Sequence, residues 1–391
     1  MTGERFDLEP AVRVPFRWAA FLAKQRVLAR RKGILFPLPS MGLHLSIWAL
    51  GQLGWALDAA LYPKPSLDFV LPSMFIVGHQ RSGTTFLHRL LARDARAHSM
   101  VLHEMLLPAT SIQNTLARAK RIDAHFGSHC RTWFEALQDR KLGHLDDIHR
   151  VRFDEPEEDE IVMWATFASD ICINDTPALI EMQDEDMPEP FQSWDLKEQL
   201  RALIWYRACV RKKLQRAGAQ GWYLGKNPRF ARCLPQLNQV FPESRIILMI
   251  RNPIETIVSR MSMLQALWRY KVPDLNHIST AQVNWILKDS IETYLKTEEG
   301  IASLPDERIL IVGYQDLIRS PRFVVDRITD HFGLPSPSEE LVQALNKLEH
   351  KQHRSKHKYD LLQFGLKEEQ IKGPLSGIFD KYKDLFVKAA T

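Results

Sequence analysis

The chain predicts an α/β fold, a parallel sheet sandwiched by helices, with helical additions at both ends. Three observations carry that expectation. Met74-Phe75-Ile76-Val77 is an apolar run that passes through a loop bounded by Gly78 and Gly83 into the helix-like segment Phe86 to Leu91. Arg245 to Ile250 is a second β-rich apolar run, feeding Arg251-Asn252-Pro253 and a further helix. Strand-like and helix-like stretches alternate between and beyond them. Such alternation describes a sheet whose ligands bind at the carboxyl ends of its strands.

Along the chain, residues 1–40 are mixed, with Lys24, Arg26, Arg30, Arg31 and Lys32 clustered. Met41 to Leu61 is nearly all apolar and carries one formal charge, Asp58. It is long enough to span a bilayer but begins too late for an ordinary cleaved signal peptide. His44, Gln52 and Asp58 draw a narrow polar stripe along it. Three readings stay open: a buried or lid helix, an interfacial helix making peripheral membrane contact, and a true anchor. The basic cluster suits anionic headgroups, or is simply a solvated face.

The loop Gly78-His79-Gln80-Arg81-Ser82-Gly83-Thr84-Thr85 follows the first strand. Its spacing matches the phosphate loop G-x-x-x-x-G-K-[ST], except that Thr84 holds the lysine position. Backbone N–H groups and a helix dipole still converge there, so the sheet is P-loop-like and binds an anion, with Arg81 as the loop's cation. Loss of the lysine argues against nucleoside-triphosphate hydrolysis. Ser99 to His103 reads as another strand, ending at Glu104. Helices are expected near 157–169, 196–217, 229–241, 253–270, 280–300 and 338–348, and strands at 222–225, 245–251 and 309–314. Residues 1–70 form an N-terminal helical extension and 71–335 the α/β core. Residues 336–391 form a helical segment whose basic stretch, Lys351 to Lys358, closes on the core or stays solvated. Ser259 stands eight residues after Arg251, so a strand-end guanidinium and a helical hydroxyl can grip one phosphate.

Taken together, Arg81-Ser82-Gly83-Thr84-Thr85 and Arg251-Asn252-Pro253 with Ser259 resemble the sulfotransferase family, in its bacterial-type and protein-tyrosine branches. Glu155 to Glu160, Gly225-Lys226-Asn227-Pro228 and Tyr314-Gln315-Asp316-Leu317 extend the likeness over roughly residues 74–365. The resemblance implies PAPS (3′-phosphoadenosine 5′-phosphosulfate) as sulfuryl donor, PAP as product, and no metal. Arg81, Ser82, Gly83, Thr84 and Thr85 would then hold the 5′-phosphosulfate, Arg251 and Ser259 the 3′-phosphate, and Tyr314 the adenine. Lys226 would stabilise charge building on the departing phosphate. Glu104, 23 residues after Arg81, is the first candidate for the base, and partial burial would lift its pKa toward neutrality. The adjacent His103 is the second, pointing to the opposite face of the expected strand. Glu157 and Glu158 open a helix behind Pro156, complementing its dipole or shaping the acceptor pocket.

Composition narrows the alternatives. Of 391 residues 45% are hydrophobic, enough for a packed core, and the formal charge of +5 is too mild and too scattered for nucleic acid. Cys130, Cys172, Cys209 and Cys233 have no metal spacing and suit a reducing, cytoplasmic setting or incidental burial. Ten tryptophans and the apolar segment lean toward a small-molecule or lipid-like hydroxyl acceptor. Two other classes compete: a kinase-like nucleotide-binding protein with a degenerate loop, and a catalytically silent scaffold.

Overall fold

The architecture is that of a computed structural model, which describes residues 38–62, 72–143, 151–164, 169, 194–218, 221–271, 277–349 and 360–387. The basic stretch Lys351 to Lys358, the cluster from Lys24 to Lys32, Cys172, and the expected helix beyond Trp164 apart from Ser169 lie outside the described residues. In chain order the elements begin with α1 (Leu38–Leu61), β1 (Ser73–Gly78), α2 (Thr84–Leu91), β2 (Ala97–His98) and α3 (Leu102–Leu106). Next come α4 (Thr110–His125), α5 (His129–Leu142), α6 (Glu160–Trp164), α7 (Leu196–Arg216), β3 (Trp222–Lys226) and α8 (Leu234–Val240). Then follow β4 (Arg245–Ile250), α9 (Pro253–Lys271), α10 (Thr280–Ile301), β5 (Ile309–Gly313) and α11 (Tyr314–Arg319). The chain closes with α12 (Pro321–His331), α13 (Glu339–Glu349), α14 (Glu369–Lys372) and α15 (Ser376–Lys381). These elements divide into two compact units. One contains the described residues of 38–62, 100–169 and 194–218, the other those of 72–99 and 221–387.

The second unit is built on a five-stranded sheet in the order β2-β3-β1-β4-β5, with every pairing parallel. Both faces are covered, which is why its strands read as unbroken apolar runs. Met74 and Ile76 face a cluster with Leu87 and Leu90 of α2, Val324 and Ile328 of α12, and Leu341 of α13. Phe75 points the other way, edge-on to Phe241 at 5.0 Å and Phe230 at 6.3 Å. β1 lies between β3 and β4, so the chain leaves the sheet on opposite sides around it. The loop after β1 therefore sits at the topological switch point, where open parallel sheets bind ligands.

Three expectations are corrected here. The strand at Ser99–His103 is only Ala97–His98, and Leu102–Leu106 is helical. Glu104 accepts the Val101 N–H at 3.1 Å, while the Leu102 and His103 N–H groups donate to Glu155 and Phe153 carbonyls, so the backbone is satisfied without a ladder. Tyr314 opens α11 rather than closing β5. The helix expected at 229–241 is a 3₁₀ segment, Pro228–Cys233, followed by α8. Helix α5 lacks a strong apolar period, and in α4 only Gln113 is fully buried; neither helix is among those expected.

In the first unit, α1 turns its polar stripe inward. Asp58 and His44 are buried, while Leu43, Leu50 and Leu57, seven residues apart, are exposed. Asp58 accepts the Thr110 and Ser111 N–H groups, each at 2.7 Å, and pairs with Lys212 at 2.6 Å, so one carboxylate caps α4 and ties it to α7. Gly54 lets the helices close, since a Cβ there would lie 2.5 Å from Ile112 Cδ1. No helix among the described residues is long and apolar enough to cross a membrane. Asp58→Ala removes the cap and strands Lys212; it is expected to cost about 3 kcal/mol in urea unfolding.

Candidate active site

Glycines let the phosphate loop form. Gly78 adopts φ 140°, and a Cβ on it would sit 2.4 Å from the Met249 carbonyl oxygen of β4. Gly83, at φ 98°, leaves no room for a Cβ because the Tyr314 ring would be 2.7 Å away. Between them the Ser82 N–H donates to the His79 carbonyl at 3.1 Å. The first helical bond of α2 runs from the Leu87 N–H to the Gly83 carbonyl at 3.1 Å, so the amides of the first turn are available to an anion.

The two phosphate motifs, some 170 positions apart, meet at this loop. Arg81 Nε donates to Ser259 Oγ at 3.1 Å, and Arg251 Nη1 donates to the Arg81 carbonyl at 3.0 Å. Arg251 is buried, pairs with Glu255 at 3.0 Å and lies 4.0 Å above the Tyr314 ring centre. Lys226, 1% exposed at the end of β3, donates to Thr85 Oγ1 at 3.2 Å. Thr84 is buried, as is Ser82, whose hydroxyl has no hydrogen-bond partner. Among the described residues, no group of His, Cys, Asp and Glu has the arrangement of a metal site. A buried orphan hydroxyl, open helix amides and the cations Arg81, Lys226 and Arg251 fit the oxygens of a phosphosulfate and a second phosphate.

Sequence reasoning missed the supports of this site. His79 stacks on Tyr294 with ring centres 5.0 Å apart and an 8° tilt, and its Nδ1 lies 2.6 Å from the Gln80 carbonyl. Burial and then nearby Arg260 push its pKa down to about 3, so the loop histidine is neutral at physiological pH. The Tyr294 hydroxyl donates to the Arg251 carbonyl at 3.1 Å, fixing the strand end. Arg260, next to Ser259, pairs with Asp289 at 2.6 Å and donates to Ser290 at 2.9 Å, tying α9 to α10. Burial raises the Asp289 pKa, but Arg260 and Arg232 outweigh it and hold the carboxylate ionised. A single helical Tyr or Asp carries no local signal of such a role.

The candidate bases lie in the first unit, on consecutive positions of α3. Glu104 is buried and holds Lys213 at 2.8 Å together with Arg216 and the Val101 N–H. Burial pushes its pKa up, but Lys213 and Arg216 outweigh it, so the expected upward shift is reversed. His103 Nε2 is 3.1 Å from Asp154 Oδ1 and 3.4 Å from Lys120 Nζ, and its buried Nδ1 has no hydrogen-bond partner. Burial, then Lys120, lowers its pKa and favours the neutral ring. Within the acidic run Glu157, Asp159 and Glu160 are buried: α6 starts at Glu160, later than expected, with Glu160 accepting from Ser169 at 2.9 Å and Asp159 from the Tyr206 hydroxyl.

Glu104 carries a stability prediction with a definite sign. Its folded pKa lies below the ordinary 4.5, so its contribution is fully present above that pH and fades as pH falls through the lower folded value. Glu104→Gln, which leaves Lys213 and Arg216 unneutralised, is expected to cost about 3 kcal/mol at neutral pH. Urea unfolding of the two proteins should converge as the medium is acidified.

Comparison with known proteins bears on the family and the fold. The model of the sulfotransferase family matches residues 72–339. The omega-hydroxy-beta-dihydromenaquinone-9 sulfotransferases Stf3 of Mycobacterium bovis and Mycobacterium tuberculosis are each 26% identical over 272 residues, 67% of this chain. The match spans 63% of those relatives' length. Among solved structures, sulfotransferase STF1 of Mycobacterium tuberculosis superposes with a TM-score of 0.63 at 21% identity, over 96% of this chain and 94% of that one. Sulfotransferase STF9 of Mycobacterium avium gives 0.63 at 20% identity, over 88% and 86%. These two likenesses concern the fold. With the family model covering the whole α/β sheet and both phosphate motifs, the chain belongs to the sulfotransferase family.

Proposed function

We propose that this protein moves the sulfuryl group of PAPS to the hydroxyl of an apolar, lipid-like acceptor. The observation that carries the reading is the joining of its two phosphate motifs, Arg81 to Ser259 and Arg251 to the Arg81 carbonyl. Arg81, the Ser82 hydroxyl and the amides of Gly83 to Thr85 hold the 5′-phosphosulfate. Arg251 and Ser259 hold the 3′-phosphate, with Tyr314 flanking the adenine. Lys226, beside the Thr85 hydroxyl, meets the charge that builds as the sulfur–oxygen bond to the 5′-phosphate breaks and the bond to the acceptor oxygen forms. The acceptor's proton goes to a base on α3. His103 suits that role better than Glu104, because its ring is held neutral and its buried Nδ1 has no hydrogen-bond partner, while Glu104 is committed to two cations.

The lipid-like acceptor is supported by the apolar surface of the first unit and by the Stf3 relatives, whose name specifies a hydroxylated menaquinone. A kinase-like reading has no comparable support, since Thr84 occupies the lysine position of the loop. Calorimetric titration with PAP and with ATP tests the proposal. Micromolar PAP binding with much weaker ATP binding is expected. Equal binding of both, or no PAP binding, rejects PAPS as the donor.

A further inference from the structure

The first unit ends in a helical hairpin whose tip is both apolar and cationic. Ile122 is 60% exposed, Phe126 70% and Trp133 67%, high values for large apolar side chains on the two arms of one hairpin. The turn itself is held: Asp123 accepts the Cys130 and Arg131 N–H groups at 2.8 and 2.9 Å, and Gly127 and Ser128 adopt left-handed backbone angles. Exposed Arg118 and Arg121 lie along the same helix, and with Ile122, His125 and Phe126 they line a shallow hollow of about 430 Å³. Asp123 is spent on the cap, and Glu135, exposed on α5, pairs with Arg131 at 2.8 Å. Elsewhere in the same unit, α1 exposes Leu43, Leu50, Leu57 and Leu61, and its single charge, Asp58, is buried.

We infer that this unit docks on an anionic lipid surface, with the α4–α5 hairpin tip seated at the headgroup level. Tryptophan and phenylalanine favour the membrane interface, and flanking arginines are attracted to anionic headgroups. A second copy of the chain is the less suitable occupant. A two-fold contact sets the same patch against itself and would bring Arg118 and Arg121 toward their own counterparts. The inference rests on the lipid-like acceptor reading for its purpose: a protein that sulfates a membrane-resident alcohol must work at the bilayer.

Vesicle pelleting tests it directly, using the full chain with phosphatidylcholine vesicles and with vesicles that also contain phosphatidylglycerol. Strong binding to the mixed vesicles and weak binding to phosphatidylcholine alone are expected. The pair Arg118→Gln and Arg121→Gln should weaken binding roughly 25-fold, about fivefold per cation lost, and added salt should mimic it. The pair Phe126→Glu and Trp133→Glu should weaken binding at least about tenfold. PAP titration of each variant serves as the control for folding, because these residues lie outside the donor site. Absence of pelleting, equal binding to both vesicle types, or binding unchanged in both variants overturns the inference. So does a dimer, seen by sedimentation, that Trp133→Glu dissociates while vesicles go unbound. Absence of PAP binding by the unaltered protein, with vesicle binding intact, would instead reject the donor reading and leave the docking surface standing.

Discussion

Lys226→Met is expected to lower turnover about a hundred- to a thousandfold while PAP binding changes no more than about threefold. The reason lies in where charge appears. The Lys226 ammonium is buried at the end of β3 and donates to Thr85 of the loop, so on the proposed mechanism it faces a group whose charge grows as the reaction proceeds. A preorganised cation in a water-poor site stabilises that charge without reorganising, and methionine keeps the volume while removing the charge. The measurement is PAP release from PAPS with long-chain and prenylated alcohols as acceptors, at saturating donor. A loss confined to KM would mean that Lys226 merely binds the donor. No loss would remove it from the chemistry.

Arg251 carries the second large effect, on recognition rather than rate. Its guanidinium is fixed by Glu255, the Arg81 carbonyl and the Tyr314 ring, so it would meet the proposed 3′-phosphate already oriented. Removing it alone would leave the Glu255 carboxylate buried without its cation. The informative variant is therefore Arg251→Ala combined with Glu255→Gln. It is expected to weaken PAP binding about 30- to 100-fold, the worth of a bidentate charged contact. ATP, which lacks the 3′-phosphate, should bind the variant and the parent about equally. If PAP binding survives, the 3′-phosphate is held elsewhere and the reading of Arg251 and Ser259 fails.

Much of the sheet was legible because its signals are local. β1, β3, β4 and β5 are runs that must be apolar on both faces, and the glycines at 78 and 83 mark backbone that a side chain would block. The failures are equally physical. Ser99 to His103 has the composition of a strand, yet a carboxylate one residue on caps it into a helical turn, and residues some fifty positions away take its N–H groups. Helix α4 fully buries only Gln113, and α5 has little of the apolar period by which a helix is normally found.

Chain order alone specified the parallel sheet, the anion-binding loop without its lysine, and the spacing from Arg251 to Ser259, since each depends on neighbours within a few residues. Electrostatic state and facing were decided only in three dimensions. Glu104 reads as a carboxylate whose pKa burial should raise, but Lys213 and Arg216, over a hundred residues away, reverse the shift. The apolar segment 41–61 reads as buried or membrane-bound, but Asp58 turns its polar stripe inward to cap a helix fifty residues on and leaves the leucines outside. Charge and hydrogen bonding act through space, and the partners that settle them are brought near by the fold rather than by the order of residues.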